Sequence, residues 1–393
     1  MIEGKFMEQS PIKQLAKIRT DVVGSLLRPA HLKQVYLQRD QGKIDEDELR
    51  RIEDEAIRKA VELQEAVGLD VVTDGEFRRL NFQDSFAASV SGFDARPTDL
   101  SFMESLSREG KPLQRWDPYR VAHGAAILQR RPVSQKLRLV RNLPLEEYAF
   151  VGSVTRRPAK VTLVGPDRIT ERFDYQNSKS VYWSTDDFVA DVARIEREMI
   201  RGLVEAGCRY VQIDAPSYTA YVDAPSLNEM KERGEDPMKN LARSIKADNE
   251  ILRLFDDVTF GIHLCRGNQR SMWHREGSYD AIAEMLFSGL RHDRFLLEYD
   301  SPRAGSFEPL RFVPKEKVAV LGLVSTKVPQ IEKADDLKRR IDEASKYIAL
   351  EQLAISPQCG FASDVVGNLI SEDDQKRKLE VVVETARQVW GST

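Results

Sequence analysis

The sequence predicts an α/β protein folded as a (β/α)8 TIM barrel with an inserted excursion after the second strand, and three observations predict it. Eight short apolar stretches recur along the 393 residues, most followed by an amphipathic helical pattern, as expected of a parallel sheet with helical crossovers. Eight such units favour a closed barrel over an open, doubly wound sheet. The third observation is chemical. Ser25, Glu76, Asp214, His263, Cys265, Glu298 and Cys359 all stand immediately after these stretches, the positions a barrel gathers at one mouth. The chain reads as one domain, residues 1–393, with 80–148 as an insertion covering the active face.

The first strand, Thr20–Val23, opens into Gly24-Ser25. Free backbone N–H groups and a hydroxyl at a strand end can hold a carboxylate, and an ordinary turn is the plain alternative. From Asp45 to Val67, Leu49, Ile52, Ala56, Ala60, Leu63 and Val67 recur every three or four residues, and Gly68 caps the helix. Leu69–Thr73 is the second strand and runs into Asp74-Gly75-Glu76. Glu76 can bind an amine or act as a base, or simply pair with Arg78 or Arg79. Residues 80–148 show no sustained period and carry no fold assignment.

Lys160–Val164 is the third strand, and a long helix follows from Thr185, as cap, to Glu205. Arg209–Ile213 closes on Asp214, and a helix fills Pro237–Phe255 before the strand that ends in His263. Then come a helix over Tyr279–Leu290, strands at Phe295–Leu297 and Val318–Gly322, a helix over Asp335–Tyr347, a last strand at Leu353–Ile355 and a closing helix over Asp374–Trp390. No Gly-x-Gly-x-x-Gly follows a strand and no Gly-Lys-Ser/Thr loop occurs, which removes dinucleotide and nucleotide-hydrolase readings.

A net charge of -4 argues against nucleic acid or an anionic membrane as the main partner. Three cysteines in so long a chain do not form a disulfide framework, so a reducing cytoplasm is expected. Met1–Lys17 lacks the continuous apolar core of a secretory leader, and no apolar run is long enough to span a bilayer. The oligomeric state is open, a homo-oligomer included.

His263 and Cys265 leave a strand end on the same side, because residues i and i+2 of a strand face alike. Such a pair alone is ordinarily core packing. Here Glu298 and Cys359 also stand where strands run out, and two sulfurs, one nitrogen and one oxygen suit Zn2+ far better than magnesium or calcium. Cys208, at a helix end before a strand begins, reads as a small buried residue instead. Zinc lowers the pKa of a coordinated thiol, so the set points to alkylation of sulfur.

Ile18–Ser25, Leu69–Glu76, Val211–Pro216, His263–Cys265, Glu298 and Pro357–Gly360 together resemble the catalytic half of cobalamin-independent methionine synthase, in its short, single-barrel bacterial form. His-Leu-Cys-Arg-Gly-Asn, Leu-Glu-Tyr-Asp and Ser-Pro-Gln-Cys-Gly-Phe-Ala-Ser carry the likeness, which runs from about Ile18 to Trp390. The resemblance implies a barrel of the methionine synthase/uroporphyrinogen decarboxylase type and a methyltransferase making methionine from homocysteine, with a methyltetrahydrofolate as donor. It implies His263, Cys265, Glu298 and Cys359 as zinc ligands. Val23, Gly24 and Ser25 would hold the homocysteine carboxylate, and the catalytic carboxylates Glu76 and Asp214 its ammonium.

The folate side departs from the family. Gly165-Pro166 stands where a Trp would stack on the folate, and Ala220 stands six residues beyond Asp214 where the family has Glu. Gly322–Lys327 lacks the proton-donating His, leaving His123, His274 and Asp300 as candidates for a leaving-group acid. A non-folate donor or another thiol, as in epoxyalkane:coenzyme M transferase, is the alternative. A sulfonate thiol has no ammonium for Glu76 and Asp214 to bind.

Overall fold

A computed structural model describes residues 18–93, 113, 115 and 131–391 of the chain. Two strands of the inserted region pair antiparallel, β1 (Val90–Phe93) with β2 (Val133–Leu139). The main sheet holds six parallel strands in sequence order: β3 (Lys160–Val164), β4 (Tyr210–Asp214), β5 (Thr259–Leu264), β6 (Arg294–Glu298), β7 (Val318–Val324) and β8 (Leu353–Pro357).

Every one of these strands is buried on both faces, which explains why they read as near-continuous apolar runs. Alternation sorts their side chains. Val161 and Leu163, Val211 and Ile213, Phe260, Ile262 and Leu264, and Phe295 and Leu297 join one apolar core with Val192, Ile195 and Met199 of the helix Thr185–Glu205. Each such side chain, fully buried, is worth about 1.5–3 kcal/mol. The opposite face carries Lys160 and Thr162, Tyr210, Gln212 and Asp214, His263, and Arg294, Leu296 and Glu298. On that face Lys160 and Arg294, from strands three apart, both reach Asp21, so the sheet curls around them.

The eight-stranded ladder expected from the sequence is realised as six strands and two single bridges. Thr20 makes one parallel bridge to Ile355 of β8, and Val72 makes one to Ala159 beside β3. Between these two segments side chains do the linking. Asp70 accepts the N–H groups of Arg19 and Thr20 at 2.8 and 2.9 Å, Thr20 Oγ1 accepts from Asp70 N at 2.9 Å, and Thr73 Oγ1 donates to Gly24 O at 2.7 Å. Side-chain acceptors here take the donors that a ladder would use.

Several boundaries differ from those expected. Ser184, not Thr185, caps the long helix by accepting from Asp187 N, and the closing helix starts at Glu372 behind a capping box of Ser371 and Asp374. The helix expected over Tyr279–Leu290 is a 3-10 turn followed by Ala283–Gly289, and those expected to reach Phe255 and Tyr347 end at Ile251 and Ala344. The helices Ala30–Asp40 and Leu143–Val154 have no counterpart among the expected elements, since each buries only a few residues, Leu32, Val35 and Tyr36 in the first, and shows no sustained apolar stripe. Among the described residues no helix is long and apolar enough to cross a membrane.

Candidate metal centre

The register of β4 against β5 sets Asp214 opposite His263, and Cys265 follows two residues on. Cys359 arrives from the loop after β8. One ligand atom each from His263, Cys265 and Cys359 lies within 4.8 Å of the others, and all three residues are buried. Both ring nitrogens of His263 are enclosed without a hydrogen-bond partner. A buried imidazole nitrogen of this kind, beside two thiols, is one that a metal could bind.

The electrostatics of the trio fit a soft dication. The hydrogen bond from Cys359 outweighs burial and, with His263, holds the Cys265 thiol well below its ordinary pKa. The same bond, reinforced by burial, drives Cys359 well above its own. A cation beside the pair is what would let both sulfurs ionise. Burial opposes protonation of His263, but Cys265, Asp214 and Glu298 hold its pKa above the usual imidazole value. Cys208 is the contrast: buried, bonded to Tyr210 O at 3.4 Å, its thiol is pushed up to about 12 by burial and left inert.

Glu298 is buried at the end of β6 and does not join the trio. Its Oε2 accepts the Arg266 backbone N–H at 2.6 Å and its Oε1 accepts from the Arg303 guanidinium at 3.0 Å. Burial favours its neutral form, but Lys327, Arg266 and Arg303 together hold its pKa below the usual value.

The other expected residues surround the trio. Val23, Ser25, Glu76 and Asp214 line one small cavity of about 30 Å³ with His263, Cys265 and Cys359, joined by Phe82, Pro216, Gly360 and Ser363. Glu76 sits in the left-handed region at φ 60°, its N–H taken by Asp74 Oδ1 at 2.9 Å. Its Oε1 accepts from Thr162 at 2.8 Å and lies 3.7 Å from Arg79, while Oε2 is buried without a partner. The Arg79 pairing anticipated for an acidic turn residue is therefore present and still leaves one oxygen for a ligand. Asp214 accepts from Gln212 at 2.7 Å, and burial, opposed by His263 and reinforced by Glu76, pushes its carboxyl up to about 7.

Close approach explains two glycines. A Cβ on Gly24 would stand 2.7 Å from Glu76 Oε1, and one on Gly360 would occupy the place of Ser25 Oγ. Ser25 meanwhile ties the first strand to the loop of Cys359, its carbonyl accepting from Phe361 N at 2.9 Å.

A second cavity of about 80 Å³ adjoins the first, sharing Phe82, Pro216, Cys265 and Ser363, and is lined also by Arg168, Trp273, His274 and Arg275. His274 thus lies beside the centre; Asp300 is buried 3.5 Å from Arg303; His123 lies outside the described residues. Ala220 lines a separate cavity with Asp167 and Ser217. Of the lining residues not foreseen, Gly360 and Ser363 belong to the Ser-Pro-Gln-Cys-Gly-Phe-Ala-Ser motif, whereas Phe82 sits in the inserted region, where no periodicity marked it.

Residues 18–387 match the family model described as the catalytic domain of cobalamin-independent synthase. The chain belongs to that family. YxjG of Bacillus subtilis, an uncharacterized protein, is 37% identical over 380 residues, covering 95% of this chain and 94% of its own length. The methionine synthase of Pyrococcus abyssi is 26% identical, covering 88% of this chain and 87% of the relative. The solved structure of a Listeria monocytogenes protein, provisionally assigned as a vitamin-B12 independent methionine synthase, superposes with a TM-score of 0.70 at 27% identity, covering 95% of this chain and 98% of that one. Membership makes the chain a methyltransferase, and its His/Cys/Cys group is one that could bind a metal.

Proposed function

We propose that the protein is a zinc-dependent S-methyltransferase that converts homocysteine to methionine, with a methyltetrahydrofolate as donor. The domain is read as a single (β/α)8 barrel, its first two strands reduced to bridges, with residues 80–148 as the cover of the active face and the cytoplasm as its compartment. His263, Cys265, Cys359 and Glu298 would hold Zn2+. Bound there, zinc supplies a coordinated thiol that is a nucleophile at neutral pH.

The single observation that carries the reading is one cavity lined both by the His/Cys/Cys group and by Ser25, Glu76 and Asp214. Homocysteine needs a soft ion for its sulfur, acceptors for its ammonium and donors for its carboxylate, all within one amino acid's length. The unpartnered Oε2 of Glu76 and the carboxylate of Asp214 are the acceptors, and the Gly24-Ser25 backbone and hydroxyl the donors. Phe82 and Pro216 supply apolar walls to this cavity.

The test is an assay of homocysteine methylation by zinc-loaded protein with mono- and polyglutamyl methyltetrahydrofolate, methylcobalamin and methylated sulfur compounds. Methionine formed from the folates is expected. Turnover with coenzyme M in place of homocysteine, or full activity in zinc-free protein, would refute the reading.

A further inference from the structure

Glu298 is the expected ligand that stands apart from the other three, and what holds it is specific. Its side chain is 1% exposed and paired at 3.0 Å with Arg303, itself 13% exposed. The same guanidinium lies 3.5 Å from Asp300 and 5.1 Å from the ring centroid of Trp273, which lines the cavity beside Cys265. Arg303 rides on the 3-10 turn Pro302–Ala304. That turn closes at Gly305 with φ 75°, where a Cβ would meet Ser278 at 2.6 Å, so its path is sterically set.

A buried carboxylate cannot simply leave a metal: a charge without a partner in the interior is strongly unfavourable. Both carboxylate oxygens are held, Oε2 by the Arg266 backbone N–H next to Cys265 and Oε1 by Arg303, and each keeps a further lone pair for a ligand. We infer that Arg303 is a positioning residue that would receive the Glu298 carboxylate if a substrate thiolate took its place on a bound metal. Were zinc bound, such an exchange would trade one carboxylate oxygen for one thiolate sulfur, the thiol proton leaving to solvent, with no change of oxidation state. Arg303 does not touch the reacting sulfur; it sets how readily the fourth position opens. This rests on the zinc and homocysteine reading above.

The test combines zinc-edge X-ray absorption, with and without homocysteine, with zinc affinity by chelator competition and homocysteine affinity by calorimetry. It uses the full-length wild type, Arg303→Met and Arg303→Gln, with Arg303→Lys as the conservative rescue. In the wild type, homocysteine should replace one oxygen by one sulfur. Arg303→Met and Arg303→Gln should keep the oxygen, bind homocysteine at least tenfold more weakly and hold zinc as tightly as the wild type or more so, with Arg303→Lys in between. Complete exchange at wild-type affinity in either neutral variant overturns the inference. A wild type that never takes in sulfur overturns the zinc and homocysteine reading instead.

Discussion

Two charged layers line the concave face of the same sheet, and they differ in how fully their polar atoms are paired. In the lower layer Lys160 Nζ donates to Asp21 at 2.6 Å and Gln212 at 2.7 Å, Tyr210 donates to Asp21 at 2.6 Å, and Arg294 reaches both Tyr210 and Asp21. Lys160 and Arg294 outweigh burial and hold the Asp21 carboxyl below its usual pKa. Within this layer one guanidinium nitrogen of Arg294 is left over. In the upper layer Glu76 Oε2 and both nitrogens of His263 are left over, and they face a cavity. The strand β4 connects the layers through Tyr210, Gln212 and Asp214, alternate residues on one face. Burying charge is therefore common to structure and chemistry here; what separates them is whether the partners are supplied by the chain or left for a ligand.

If that distinction is real, variants in the two layers should fail differently. Cys359→Ser or His263→Ala should strip the metal and take turnover down by about a thousandfold or more, while the unfolding free energy, compared between metal-free proteins, changes by only about 1–2 kcal/mol, because little beyond the Cys359–Cys265 hydrogen bond is lost. Metal analysis and urea titration on one preparation decide it, and full metal content in either variant breaks the comparison from the upper side. Asp21→Asn should do the reverse: a loss of about 3–5 kcal/mol in urea unfolding, from stranding Lys160 and Arg294 in the interior, with metal content per folded molecule unchanged. A neutral effect on stability would show that the lower layer is not the scaffold described.

Removing one acceptor within the upper layer gives a smaller effect. Asp214→Asn or Glu76→Gln should weaken homocysteine binding about 10- to 100-fold, the worth of one hydrogen bond to a charged group, with zinc retained. Unchanged calorimetric affinity in the double variant would remove the amino-acid assignment while leaving the metal. A third set of buried acids, outside both layers, sharpens the contrast further. Glu196, on the helix Thr185–Glu205, has both oxygens buried without partners, and burial together with Asp248 raises its pKa well above normal. Its folded pKa lies above the unfolded one, so the proton is kept in the fold and lost on unfolding. Stability is full below the ordinary carboxyl pKa and falls by at most about 1.4 kcal/mol per pH unit as pH rises toward the raised value. Glu196→Gln should flatten that part of the stability profile between pH 5 and 8 and leave turnover alone; an unchanged slope would count against it.

Much of this was legible in the residues. The apolar runs, their alternation with helices such as Asp45–Val67, and the polar residues at their ends mark seven of the side chains discussed above, because strand and helix periods are local properties. Cys208 was separated from Cys265 on the same grounds, by its place at a helix end. The inserted region was not legible: β1 pairs with β2 across a long stretch of chain, and no local period announces such a partner. Nor was Phe82, which reaches the cavity from that region.

The sequence by itself determined the class of fold, the donor types that could hold a soft metal and the strand ends from which they come, since each follows from side-chain chemistry and short-range spacing. Only the tertiary structure decided which buried charges are already paired and which are open, that Glu298 rests on Arg303, and that the first two strands join the sheet by single bridges. Saturation of a buried group depends on partners as distant in the chain as Asp21 and Arg294, 273 residues apart, and no pattern of neighbours encodes that meeting.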